Sequence, residues 1–179
     1  MLRGVNLVRH NRIKMDALLS IYAALQFDDP RTYIQSGNVI FRAQEKNADA
    51  LAEKIQNAIE RSAGFRPAVI LRTPQELRKT IAANPFAGRD FDPSKLLVNF
   101  FAAKPSPAAR VRLLALKPDP EELHLIGREV YIYFPTGVGQ SKLQWSSLEK
   151  KLEAPAGTAR NWNGVTRMLQ IAEEMMAGK

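Results

Sequence analysis

The sequence contains no cysteine, which removes disulfides, thiolate metal sites and cysteine nucleophiles from consideration. Its two histidines, His10 and His124, are too few for a multi-histidine metal centre. No apolar run approaches the roughly 18 residues of a membrane-spanning helix, and the first residues lack the regions of a secretory signal. A soluble, cytoplasmic protein with no membrane partner is therefore expected. Familiar catalytic signatures are missing as well: there is no nucleophile elbow, no Walker sequence, no glycine fingerprint after the first strand and no paired-carboxylate motif. Asp28 and Asp29 precede Pro30 as ordinary turn composition.

What is present is positive charge. Lys and Arg number 26 against 18 Asp and Glu, for a net charge of +8, which favours an anionic partner: a phosphate-bearing small molecule or a nucleic acid. With 45% hydrophobic and 25% charged residues over 179 positions, the chain is globular, as one domain or two small ones.

The pattern of elements predicts an α+β fold. Leu2 to Val8 reads as a strand, and Met15, Leu18, Leu19, Tyr22 and Leu25 recur at helical spacing. Thr32 to Gln35 and Val39 to Arg42 form a hairpin about Ser36, Gly37 and Asn38. A second helix spans Asn47 to Ser62 with Gly64 as its stop, and Pro67 to Arg72 is a strand. The order is βαββαβ, a ferredoxin-like half expected over residues 1–85. Thr73 and Pro74 open a short helix. The Gly-, Pro- and Asp-rich stretch Phe86 to Pro93 marks the boundary to a second α/β half of related topology, 86–179. There, Lys95 to Phe101 is a strand, Pro107 to Leu116 a helix, Leu123 to Ile126 and Glu129 to Phe134 a hairpin, and Lys142 to Leu152 a helix. A last helix, Trp162 to Met176, carries Trp162, Val165, Leu169, Ala172 and Met176 on one face.

Six strings stand along this pattern: Leu-Arg-Gly-Val-Asn (Leu2 to Asn6), Tyr-Ile-Gln-Ser-Gly-Asn-Val-Ile-Phe (Tyr33 to Phe41), Ala-Asn-Pro-Phe (Ala83 to Phe86), Ser-Lys-Leu (Ser141 to Leu143), Glu-Lys-Lys-Leu (Glu149 to Leu152) and Arg-Asn-Trp-Asn (Arg160 to Asn163). In this order they resemble the DUF 1697 family, whose function is unassigned. The resemblance implies the α+β fold and no particular activity or cofactor. Family members usually carry residues before the first string, so the natural protein is expected to begin upstream of Met1. They also tend to follow its Asn with Val-Gly-Gly, where this chain has Leu7, Val8, Arg9 and His10.

In a sheet of order 4-1-3-2, the loop after strand one and the hairpin turn share one end. That geometry gathers Arg9, Arg12, Gln35, Ser36 and Asn38, with Arg3 and Asn6 from the first string, as a candidate anion site. The competing reading is turn chemistry beside a solvated basic loop. Arg3 alternates with Val5 and Leu7, so it faces either the core or an open sheet surface. Ser141 and Lys142 end a glycine-rich loop that enters a helix, a second anion candidate or a plain N-cap. Arg160 and Asn161 begin the last helix, where Asn161 can cap and Arg160 opposes the helix dipole unless a partner holds it. His124 is structural. Three functions compete: first a binding module for an anionic ligand or nucleic acid, then an enzyme acting on a small anionic substrate, then a scaffold. Recognition by base stacking is disfavoured, because Arg3 stands where an aromatic is wanted and Phe41 is the aromatic of strand three.

Overall fold

A computed structural model describes residues 1–6, 11–143, 145, 149, 150 and 152–178. The chain is α+β, built on two antiparallel sheets, and divides into two compact units: Met1–Arg72 with Gln170–Lys179, and Thr73–Leu169. The boundary expected at residue 85 falls within the second unit.

In the first unit α1 (Met15–Ala24) buries Leu18, Ile21 and Tyr22. The hairpin β1 (Asp28–Tyr33) and β2 (Asn38–Arg42) follows, with Tyr33 opposite Asn38 and a bulge between Asp28 and Arg31. Asp28 and Asp29 are thus strand residues as well as turn formers. Helix α2 (Ala48–Ala63) is delimited by local chemistry: the Asn47 side chain accepts from the Asp49 and Ala50 amides at 3.0 and 3.1 Å, and Gly64 closes it in the left-handed region at φ +74°. Leu2, Val5, Leu18, Leu51, Ile55 and Val69 are buried in one core, with Met15 packed at its edge.

Among the described residues the first unit holds a two-stranded sheet, β1-β2, in place of the four-stranded ferredoxin-like sheet expected here. Leu2 meets Val69 in an isolated antiparallel bridge, extended by Arg3 N–H to Ala68 O and Ile70 N–H to Met1 O, each 2.9 Å. On its other side, Leu2 N–H donates to Gly37 O at 2.9 Å. The ladder stops there because Gly4 and Asn6 turn through the left-handed region, at φ +66° and +56°. Leu7 and Val8 of the expected strand lie outside the described residues. The same turn cancels the expected alternation: Leu2 and Val5, three apart, are both buried, and Arg3 is half-buried between them.

Gly37 explains why the first string packs against the second. Its φ is +73°, and a Cβ on it would overlap the Val5 side chain and lie 2.9 Å from Leu2 Cβ.

The second unit begins with α3 (Pro74–Ala82), whose Thr73 and Glu76 form a reciprocal capping box. After a one-turn 3₁₀ segment at Pro93–Lys95 come β3 (Leu96–Phe101), α4 (Pro107–Ala115), β4 (Glu122–Ile126) and β5 (Glu129–Tyr133). A strand that the sequence did not disclose, β6 (Gly157–Asn161), pairs antiparallel with β3, giving the order β4-β5-β3-β6. One sheet face, with Phe101, Val130 and Ile132, is covered by Leu113 and Leu152. Of the helix expected over Lys142 to Leu152, Trp145, Glu149 and Lys150 are helical, while residues 144, 146–148 and 151 lie outside the described set. Helix α5 (Trp162–Ala177) runs from the second unit into the first. Its buried stripe is Val165, Met168, Ala172 and Met175, so the expected face is rotated at its end: Met176 is 52% exposed. Among the described residues no helix is long and apolar enough to cross a membrane.

Two outcomes follow from this packing. Gly37→Ala lowers unfolding free energy by about 2 kcal/mol or more, because strain and overlap add. Gly64→Ala, with open space around it, costs about 1 kcal/mol from φ alone; urea denaturation of both variants checks the contrast. The second outcome concerns Tyr22, whose phenol burial pushes up from its ordinary value. The unfolded chain releases that proton near pH 10 while the folded chain keeps it, so stability is full below about pH 10 and declines as pH rises above it. Tyr22→Phe makes that alkaline decline shallower in a series of thermal melts.

Candidate functional site

The geometry of the candidate site starts from one side chain, Asn6. Its Nδ2 donates to Ile13 O and to Gln35 O, both at 3.0 Å, and its Oδ1 accepts from Ile13 N–H at 2.9 Å. Asn6 N–H also donates to Asn11 O at 3.1 Å, and Asn11 Nδ2 reaches Gly4 O at 3.4 Å. One amide therefore closes the loop after the first string and fastens it to the hairpin turn. Asn is suited to this position because its short amide tolerates the left-handed backbone and offers donor and acceptor together.

The proximity expected between the loop and the turn is thus present. The residues differ in exposure. Asn38 is fully buried, and its Nδ2 donates to Ser36 Oγ at 2.9 Å and Tyr33 O at 3.4 Å. Ser36 and Asn38 therefore build the turn, and Asn6 ties it down. Arg12, Lys14, Asn11 and Gln35 are exposed, and Arg3 is half-buried. Arg9 lies outside the described residues. The backbone here is concentrated in the left-handed region: Gly4, Asn6, Asn11, Ile34 and Gly37 all have φ between +51° and +73°. For Ile34, a β-branched residue that is 55% exposed, this conformation is costly without local packing to account for it.

The other candidates stand elsewhere, in the second unit. Ser141 Oγ donates to the carboxylate of Glu121 and accepts from Leu143 N–H at 2.9 Å. Glu121 is buried, so the glycine-rich loop already faces an acid of its own chain, which opposes an incoming anion; Lys142 is exposed beside it. Arg160 does not begin a helix. It lies in β6, is buried, and donates to Thr158 Oγ1 and Ala159 O at 2.7 Å. Burial pushes its guanidinium down to about 10. Asn161 caps α5 as expected, accepting from Gly164 N–H at 2.7 Å. His124 sets its ring edge to face against Phe86 at 5.3 Å, a packing role.

Sequence reasoning missed a buried polar group on β3. Asn99 is 1% exposed, and its Nδ2 has no hydrogen-bond partner among the described residues. The signal was an Asn inside the apolar run Leu96 to Phe101. No group of three or more His, Asp or Glu suited to a metal occurs among the described residues.

Three comparisons bear on this arrangement. A family model described as "Protein of unknown function (DUF1697)" matches residues 1–131. Among curated proteins none matches significantly. The structure of a conserved bacterial protein, SP0830 from Streptococcus pneumoniae, is similar over 97% of this chain and 96% of its own, with a TM-score of 0.72 at 19% identity. At that identity the likeness establishes a shared fold.

Removing the tie at Asn6 tests its role. Asn6→Ala lowers stability by about 1–3 kcal/mol, since hydrogen-bonded groups of the loop lose their partner. Amide exchange at Ile13 accelerates in the same variant, whereas exchange within β3 is unchanged.

Proposed function

From the premise that the chain belongs to the DUF1697 family of proteins of unknown function, we propose that it is a binding module for a phosphate-bearing small molecule. The ligand sits on the surface where the loop carrying Arg12 and Lys14 meets the turn carrying Gln35. The observation that carries this reading is the Asn6 amide, bonded at once to Ile13 O and Gln35 O. It holds two loops in register before any ligand arrives, and such preorganisation spares the ligand the cost of ordering them. Arg12 and Lys14 supply charge, Arg12 in the planar fork that matches phosphate oxygens. Asn11 and Gln35 supply neutral donors, and Ser36, Asn38 and Asn6 position them. Arg3, in the opening segment, adds a further positive charge.

A small ligand is favoured over single-stranded nucleic acid by where the aromatics are. Phe41 stacks on Phe27 at 4.7 Å and meets Tyr22 edge-on at 5.0 Å. It is partly buried against the core, its ring spent on packing with Phe27 and Tyr22 and not held open as a platform for a base.

Calorimetric titration with inorganic phosphate, a nucleoside triphosphate and a short single-stranded RNA tests the reading. The triphosphate binds, weakens with added salt, and binds about tenfold less tightly to Arg12→Glu/Lys14→Glu. The variant Lys117→Glu, in the second unit, retains wild-type affinity. Equal triphosphate affinity in all three proteins rules the site out. RNA binding far tighter than triphosphate binding, falling steeply between about 50 and 200 mM salt, replaces the small ligand with a polymer.

A further inference from the structure

We propose a second, separate binding site, a groove of about 330 Å³ in the second unit that takes a small monoanion with a short apolar body. The groove lies between α3 and the β4–β5 turn and is distinct from the phosphate site of the first unit.

Its chemistry follows from which lining groups are already engaged. Tyr131, almost fully buried, donates its hydroxyl to Thr80 O at 2.6 Å. Its ring and Ala83 therefore present an apolar floor, and Ile126, 38% exposed, adds an apolar wall. Arg128 is engaged within the chain: Nη2 pairs with Glu76 at 2.6 Å, and Nη1 donates to Ala102 O at 3.4 Å. The Glu129 carboxylate accepts from Arg128 N–H at 3.2 Å. Lys79, from α3, and Lys104, after β3, remain. Both are exposed, and neither has an ion-pair partner among the described residues.

Two ammonium groups beside an apolar floor select a ligand with one negative end and a hydrocarbon body. The volume stands near the lower end of the roughly 300–1,000 Å³ range of small-molecule sites, which limits the body to a short chain or a single ring. The Arg128–Glu76 pair in the lining offsets its own two charges, and with the Glu129 carboxylate set against the two lysines the lining carries one net positive charge, which suits a ligand with a single negative end.

The test is amide chemical-shift titration of the full chain with hexanoate, with inorganic phosphate and with hexylammonium as probes. Hexanoate is expected to give saturable shifts at Lys79, Ile126 and Arg128, with binding about tenfold weaker in Lys79→Glu/Lys104→Glu and weaker in Ile126→Asp. Both variants alter exposed side chains, and their melting temperatures verify folding. No saturable shift with hexanoate, or shifts unaltered in the lysine variant, overturns the site. Hexylammonium binding more tightly than hexanoate overturns its sign, and phosphate binding as tightly as hexanoate overturns the apolar body. Arg12→Glu/Lys14→Glu leaves the hexanoate titration unchanged, so the two sites stand or fall separately.

Discussion

Position 37 must be glycine, because the first residues of the chain occupy the space where a side chain would be. Leu2 and Val5 press on its Cα, Leu2 N–H bonds its carbonyl, and its φ is positive. From that contact the rest of the first unit follows. The opening segment is wedged between residues 68–70 and the hairpin turn, and Leu2 and Val5 enter the core. The chain then turns at Gly4 and Asn6 toward Gln35 and Ile13. The basic loop is held beside the turn because the core holds the segment that precedes it. The geometry of the candidate site and the stability of the unit therefore share residues, and a change to the turn alters both.

The second unit has a comparable contact at Gly157. A Cβ there would come within 2.6 Å of the Asn99 amide and of the Glu149 carboxylate, so the β3–β6 pairing requires a glycine opposite Phe101. This packing reassigns several residues whose chemistry pointed outward in the sequence. Arg160 is taken into the sheet, and Ser141 is bound by Glu121. Residue types that suggest ligand chemistry are used here to satisfy buried polar groups, which cost about 1–3 kcal/mol each when left unmatched.

What was legible of the candidate site was the adjacency of two segments. Order along the chain predicted that the loop near Arg12 and the turn near Gln35 adjoin, and Asn6 joins them. The division of labour was not legible. Ser36 and Asn38 carry the same polar atoms whether they bind a ligand or each other, and only burial and hydrogen-bond geometry show that they bind each other. The groove was invisible for a similar reason. Lys79, Lys104 and Ile126 are far apart in sequence and ordinary in composition, and they become a lining only when α3 packs against the β4–β5 turn.

The sequence by itself determined the elements whose limits are written in neighbouring residues. Asn47 and Gly64 bound α2, Thr73 with Glu76 opens α3, and Gly127 turns the β4–β5 hairpin. Caps and tight turns depend on side chains within a few residues of the backbone they serve. Tertiary structure alone decided that the chain turns at Gly4 and Asn6 after a single bridge at Leu2, that Gly157 to Asn161 is a strand, and that Arg160 is buried. A strand is defined by a partner distant in the chain, and the protonation and availability of a polar group are set by whatever desolvates it. Neither quantity is local, so neither can be read from spacing along the chain.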